Sequence, residues 1–333
     1  GKVDGHYFYF HQAKQQWISF TDTENTYVFD EAAEKYGLPE NADFNVLAQN
    51  LVDRVSNQPF MLFNVGAHAF SRENWRTGSL VVTTTDDVID FTDNVISLRE
   101  ALIYAAAGVL ALDGTSTVTF HENLFTPENN YTITLELSDK YEELRITDGL
   151  AGKVFKIYND PKHTITLKPA TSAKTYNETT HQWEDNDNPS PYRILQIGSF
   201  YDTTNTWDVS INNMTIEGGN VTETEGNTNG GIIFAQGANV TLNLNTMILK
   251  GGKTDGLGGA IYTSGKVNLT IDTSSILGSS ASEGGGIYVN GNDAIIIIDN
   301  STLADNTATG SGAGIYMNGQ RENVTIANST ISA

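Results

Sequence analysis

Few residues in this chain are suited to chemistry. The segment Trp183-Glu184-Asp185-Asn186-Asp187-Asn188-Pro189 crowds carboxylate and amide oxygens together. Such oxygens suit Ca²⁺, which takes about six to eight of them. Glu184, Asp185 and Asp187 are the candidate ligands. Their spacing is not that of an EF-hand, and a solvated acidic loop is the competing reading. Trp183 beside them could stack on a sugar or simply pin the loop. Asp255, Glu283 and Asp305 are expected near one turn of successive repeats, as a cation-binding ladder or as solvated turn residues. Glycoside hydrolysis wants paired carboxyl groups flanking the bond; polyuronate elimination wants carboxylate-held Ca²⁺ and a base. From residue 200 onward there is no histidine, and the basic residues are Lys250, Lys253, Lys266 and Arg321 alone. No catalytic residue is assigned on this reading. The absence of cysteine excludes disulfides, thiolate metal sites and a thiol nucleophile.

The elements that would position these groups are β-strands. The 333 residues include 31 glycines, and Asn, Thr and Ser fill the polar positions while charged residues make up only 18%. That composition favours strands and turns over helices. A hydrophobic content of 39% excludes a disordered chain. The net charge of -21 argues against nucleic acid, whose phosphates need Lys and Arg. The longest apolar candidate, Ala294 to Ile298, is strand-sized, far from the roughly 18 residues of a membrane span. No signal peptide is visible, and the opening Gly1-Lys2-Val3-Asp4 reads as a processed or trimmed beginning.

The C-terminal third repeats itself. Gly230-Gly231-Ile232-Ile233, Gly258-Gly259-Ala260-Ile261-Tyr262, Gly284-Gly285-Gly286-Ile287-Tyr288 and Gly312-Ala313-Gly314-Ile315-Tyr316 are variants of one motif. Ile232, Ile261, Ile287 and Ile315 recur with steps of 29, 26 and 28. A second marker, Ile216, Leu249, Leu277, Leu303 and Ile331, recurs with steps of 33, 28, 26 and 28. Between them lie alternating segments such as Val240 to Leu244 and Val267 to Ile271. A strand-rich period in the twenties predicts a solenoid. A leucine-rich repeat would need a denser leucine frame, so a parallel β-helix fits better. Coils would then stack about 4.8 Å apart. Ile232, Ile261, Ile287 and Ile315 would form an interior ladder; Tyr262, Tyr288 and Tyr316 an outward stack; Asn290 and Asn318 a turn ladder.

Strand-like segments continue upstream: Thr117 to Phe120, Tyr131 to Leu135, Leu144 to Thr147, Val154 to Tyr158, Thr164 to Leu167, and Ile194 to Ile197. The interruption near 170–192 predicts a protruding loop or hairpin. Ahead of the strands, Ser97 and Glu100 make a capping box, and Leu98, Ala101, Leu102 and Ala105 an apolar stripe. This predicts a short amphipathic helix near 97–108, laid over the first coil to cover its strand edge and apolar bore. Residues 1–78 read as a small α+β domain. Tyr7 to Phe10 and Trp17 to Phe20 form an aromatic hairpin, Asp30 to Tyr36 and Phe44 to Val55 are helical, and Phe60 to Val65 is a strand.

Residues 79–333 resemble the right-handed parallel β-helix surface proteins of bacteria and archaea that open with a Cys-Ser-Leu-Arg-Glu-Ala motif. The matching residues are Leu80-Val81-Val82-Thr83-Thr84-Thr85-Asp86-Asp87 and Ile96-Ser97-Leu98-Arg99-Glu100-Ala101, with Ile96 in the cysteine position. The segment Ser301-Thr302-Leu303-Ala304-Asp305-Asn306-Thr307-Ala308 is similar to the repeats of polymorphic outer-membrane and adhesin-like proteins. The resemblance implies a mainly β protein at the cell surface or outside the cell, structural or adhesive and without enzymatic activity. It implies a host, surface or matrix glycan or protein as partner. Its alternative is a polysaccharide-active lyase or glycoside hydrolase on the same scaffold. The chain stops at Ser329-Thr330-Ile331-Ser332-Ala333, as a new coil begins, so a longer polypeptide or end-to-end association is expected.

Overall fold

The protein is described by a computed structural model covering strand backbone at 2–3, 6–11, 16–19 and 28–30. It then covers residues 80–89, 95–111, 115–125, 130–137, 143–146, 148–170, 174–177, 182–185, 192–198, 204–221 and 228–332. The chain divides into two compact units, Gly1–Ser79 with Asp90–Asn94, and Leu80–Ile89 with Val95–Ala333. In the first, Lys2–Val3, His6–His11, Gln16–Ser19 and Val28–Asp30 form an antiparallel sheet with Phe10 opposite Trp17. Asp30, expected to open a helix running to Tyr36, instead ends the last of these strands; the rest of that helix, the helix expected at 44–55 and the strand at 60–65 lie outside the described residues.

The second unit is mainly β and solenoid-like. One coil runs through Ile248–Lys250, Lys253–Thr254 and Ile261–Asp272, and the next opens at Ser275–Leu277. Each strand pairs in parallel with its equivalent one coil later, so three parallel sheets run along the stack. The hydrogen-bond register makes equivalent residues vertical neighbours. In the long sheet Val209, Leu242, Leu269, Ile296 and Val324 form one inward column, and Ile211, Leu244, Ile271, Ile298 and Ile326 another. All but the members on the last described coil are buried.

Register also corrects two expected ladders. Ile261, Ile287 and Ile315 are partners, but their fourth member is Ile233. Ile232 sits level with Ala260, where its N–H meets the Ala260 carbonyl, and is buried with its side chain close to Gly252 of the next coil. The second ladder runs through Ile276; Leu277 points the other way and is half-exposed. Both are slips of one residue; at Leu277 the slip exchanges the core face for the solvent face, whereas Ile232, beside the glycine corner, is buried like Ile233. With Ile233 the steps become 28, 26 and 28, and with Ile276 they become 33, 27, 27 and 28.

Two local devices turn each coil. Gly258 adopts φ +73, and a Cβ there would stand 2.3 Å from the Ile261 carbonyl oxygen, so only glycine fits. At another corner Thr273, Asn300 and Asn328 take left-handed φ of 49, 48 and 49. The serine after each carries the turn. Ser301 Oγ donates to the Asp299 carbonyl at 2.6 Å and accepts the Ser274 N–H at 3.1 Å. Ser274 does the same for Met247, and Ser329 for Ser301. These hydroxyls occupy the interior because the left-handed residue swings the next N–H out of the strand ladder, and a buried N–H needs a partner.

Upstream strands at Ser116–Phe120, Asn130–Leu135, Leu144–Ile146, Val154–Tyr158, Thr164–Pro169 and Leu195–Gly198 extend the same sheets. Helix α1, Leu98–Ala106, carries the reciprocal Ser97–Glu100 capping box. Its residues Leu98, Ala101, Leu102 and Ala105 are buried. It packs on Val81–Val82, Ser116–Phe120, Leu144–Ile146 and the turn at Asp148–Leu150. Between 170 and 192 the described backbone is an antiparallel hairpin of Lys174–Asn177 and Gln182–Asp185.

Ser301→Ala removes the acceptor for a buried N–H and should lower stability by about 1–3 kcal/mol. The solvent-facing control Thr270→Ala should change it by under about 0.5 kcal/mol. Urea unfolding of both variants checks this; equal losses would count against the serine ladder. Thr263 is fully buried and its hydroxyl has no hydrogen-bond partner among the described residues. Thr263→Val, which keeps the shape, should therefore raise the melting temperature.

Candidate binding face

The Ser-Leu-Arg-Glu-Ala stretch has a definite physical role. Arg99 forks onto Asp87, with Nε to Oδ1 and Nη2 to Oδ2 both at 2.8 Å. Asp87 Oδ2 also accepts the Glu136 N–H at 2.9 Å. The two side chains are 9% and 1% exposed. A bidentate pair buried this deeply ties α1, the segment before it and the strand region near 136 into one corner. Ser97 Oγ donates to the Val88 carbonyl at 2.6 Å, closing the same loop. These contacts hold the corner together.

The expected aromatic stack forms, but it faces a covered corner. Phe234, Tyr262, Tyr288 and Tyr316 stack with centroid separations of 5.4, 5.7 and 5.1 Å. Tyr262 and Tyr288 are buried, with Leu257 packed against the cluster. The expectation of an outward stack fails on exposure: the glycine turn folds the preceding segment back over the rings. Asn290 Nδ2 donates to the Tyr262 hydroxyl at 3.1 Å, and the Asn318 side chain, its register partner, lies by Tyr288. Sequence reasoning missed what lies at the other end. Arg193 is buried, with its guanidinium carbon 5.1 Å above the Phe234 ring. Burial pushes Arg193 down to about 10, opposed by the Glu143 carboxylate and assisted by Arg145. Glu143 is itself buried and pairs with Arg145 at 3.2 Å. The signal available was the position of Arg193 just before an apolar strand, a place where a charge must find partners.

The expected acidic groupings do not assemble. Glu283 is level with Leu257; Asp255 precedes the turn that Ser282 makes one coil on; Asp305, at φ +57, stands where the stack has Gly278. Asp255 and Glu283 thus flank one turn on successive coils, offset along it, while Asp305 stands at a different corner. Glu184 and Asp185 lie on the hairpin strand Gln182–Asp185; their side chains, and Asp187 altogether, lie outside the described residues. Among the described residues no cluster of His, Asp and Glu is arranged to hold a metal. No helix there is long and apolar enough to cross a membrane.

What the fold does build is the solvent side of the long sheet. Register aligns Asp208, Thr241, Asn268, Ile295 and Asn323 in one column, and Ser210, Asn243, Thr270, Ile297 and Thr325 in the next. Rungs recur about every 4.8 Å and columns lie about 6.6 Å apart along the strands. The middle of this face carries Thr241, Asn243, Asn268 and Thr270, all half-buried and uncharged, with Ile295 and Ile297 exposed beside them. Asn243 Nδ2 donates to Ser210 Oγ at 3.3 Å, so the polar groups brace each other between coils. Such a surface offers hydroxyls, amides and apolar carbon without charge. Charge flanks this middle on the same face: Lys266 stands two residues before Asn268, and Asp272 and Asp299 are register partners at the strand ends.

This chain matches no protein-family model, no curated protein and no solved structure in comparison.

Two outcomes are expected. Arg99→Ala strands the Asp87 carboxylate and should cost about 3–5 kcal/mol; Arg99→Ala with Asp87→Leu should recover part of the loss in denaturant unfolding. Burial raises the Tyr288 phenol above its ordinary value, and the Asn318 amide opposes this. The folded state therefore holds that proton more tightly, and its contribution is lost as pH rises above the ordinary phenol value. Arg193, depressed, works in the opposite direction over the same range. Tyr288→Phe should therefore show a shallower fall, or a steeper rise, of stability above pH 10 than the parent. An identical pH profile in thermal unfolding would contradict the assignment.

Proposed function

We propose that residues 80–332 form a right-handed parallel β-helix serving as a secreted or surface-displayed structural and adhesive segment, without catalytic turnover. Handedness follows from strand sterics: crossovers between parallel strands of one sheet are right-handed in about 98% of cases. The adhesive reading is carried by one observation, the uncharged middle of the long sheet's outer face, where Thr241 and Asn243 stack in register on Asn268 and Thr270, with Ile295 and Ile297 on the next rung. In a chain of net charge -21, a neutral face selects for a neutral partner. Hydroxyls and amides exchange hydrogen bonds readily with the hydroxyls of an extended glycan, and Ile295 and Ile297 offer apolar contact to ring carbons. A surface or matrix glycan is thus the favoured partner, and a protein the second. Fold-level resemblance sets the prior for location and adhesion but not the ligand. The Ca²⁺ reading of Glu184, Asp185 and Asp187 belongs to this proposal as an accessory site on the hairpin.

The test is to pass the protein over immobilised neutral and acidic polysaccharides while assaying the same panel for new reducing ends and unsaturated products. Retention on neutral glycans, weakened by Asn268→Asp with Thr270→Asp, is expected. Turnover on the order of 1 s⁻¹ or more would replace the adhesive reading with the enzymatic one.

A further inference from the structure

Of the seven prolines, one follows an aspartate, at Asp160–Pro161. The pair sits in the exposed connection between Val154–Tyr158 and Thr164–Pro169, strands of two different sheets. Asp160 opens a β-turn with proline at its second position, the residue types that such a turn favours. The turn closes through the His163 N–H, which donates to the Asp160 carbonyl at 2.9 Å. The Asp160 side chain joins in, since Oδ1 accepts the Lys162 N–H at 2.9 Å. The hydrogen-bonded ring formed in this way contains the Asp160–Pro161 peptide bond. Asp160 Oδ2 has no hydrogen-bond partner among the described residues.

The turn is also held from outside. Asn159, 1% exposed, donates from Nδ2 to the His163 carbonyl at 2.8 Å and to the Asn213 carbonyl at 3.0 Å, which ties the turn to the next coil. The His163 ring stacks on Phe125 with centroids 3.9 Å apart and an interplanar angle of 5°. Asp160, Pro161 and Lys162 are exposed, so water reaches the peptide bond. A fixed carboxylate, a polarised carbonyl and an accessible proline nitrogen thus meet in one turn. Proline also restricts the chemistry open to the aspartate. Without an N–H its nitrogen cannot attack the side-chain carboxyl, so the route by which aspartyl bonds ordinarily rearrange is closed. Attack by the carboxylate on its own backbone carbonyl remains.

We propose that the Asp160–Pro161 bond is a site of self-cleavage promoted by the folded turn. A carboxylate oxygen of Asp160 attacks the Asp160 carbonyl carbon. An oxygen–carbon bond forms and closes a five-membered ring, while the His163 N–H already on the carbonyl oxygen stabilises the charge that develops there. The carbon–nitrogen bond then breaks, its electron pair goes to the proline nitrogen, and that nitrogen takes a proton from solvent. Water opens the cyclic anhydride. The products are a chain ending in Asp160 and a chain beginning with Pro161, and the net reaction consumes one water. The fold keeps the two pieces together. Val154–Tyr158 on the first piece pairs with Thr206–Asn212 on the second, and Thr164–Pro169 on the second pairs with Asn130–Leu135 on the first. A nick at this turn therefore converts the solenoid into two interlocked chains, with a new carboxylate and a new proline amine at its surface.

The experiment is to incubate the full chain in warm, mildly acidic buffer, with and without concentrated urea. Mass spectrometry follows the fragments 1–160 and 161–333 over time, and circular dichroism checks that the urea-free arm stays folded. Cleavage should run about tenfold faster in the folded chain than in urea, because folding supplies the orientation. Asp160→Asn keeps an acceptor for the Lys162 N–H and removes the nucleophile. It should abolish cleavage, with thermal unfolding close to that of the parent. Asn159→Ala should slow the folded reaction and leave the urea rate unchanged, as expected of a positioning residue. Cleaved protein should elute as one species in native gel filtration and as two after denaturation. The proposal is overturned if the folded chain is cleaved no faster than the chain in urea, or if Asp160→Asn is cleaved at the parental rate.

Discussion

The structure rests on the hydrogen-bond register between successive coils. A parallel strand can pair with the one above it only at a fixed height, so every residue inherits a vertical neighbour in the same role. Inward residues become columns of aliphatic carbon, as in Val209, Leu242, Leu269, Ile296 and Val324. Outward residues become columns of hydroxyls and amides. Corners become columns of glycine or left-handed residues. A defect at one height is felt by the coil above and the coil below, and this is why the corners are so restricted in residue type.

Corners are where the solenoid's cost concentrates. Each turn leaves strand pairing and threatens to leave buried N–H groups without partners. Ser274, Ser301 and Ser329 answer this with one hydroxyl that donates within its own coil and accepts from the coil before. Ser279 and Asn306 act similarly at a second corner, where Ser279 Oγ accepts the Gly252 N–H and Asn306 Oδ1 accepts the Ser279 N–H. Buried polarity in the array is therefore connective. The charged corner near α1 follows the same logic at greater strength, with Asp87, Arg99 and the Glu136 N–H mutually satisfied. The outward face is free of these duties, and its uncharged middle can vary without disturbing the stack.

Much of the architecture was legible in the chain alone. Alternating apolar residues located nearly every strand, from Ser116–Phe120 to Thr330–Ile331, and Ser97 with Glu100 located the helix start, because periodicity and capping are local properties. The Asn-Ser-Thr triplets at Asn300 and Asn328 look like chance products of a polar β-rich sequence. They are the signature of the left-handed residue followed by the ladder serine, a meaning visible only once the corner's geometry is known.

The sequence by itself determined a parallel, coiled β architecture, a period in the twenties, a helix at its start and the scarcity of bases in its array. The tertiary structure alone decided register, and with it which residue of each adjacent pair joins the ladder: Ile233 and Ile276 occupy the ladders read from the chain as Ile232 and Leu277. It decided that Tyr262 and Tyr288 are covered, that Arg193 lies over Phe234, and that Asp305 stands apart from Asp255 and Glu283. The physical reason is common to all of these. Coils of unequal length are aligned by hydrogen bonds between strands distant in sequence, and a one-residue difference that is invisible to periodicity exchanges the two faces of a strand.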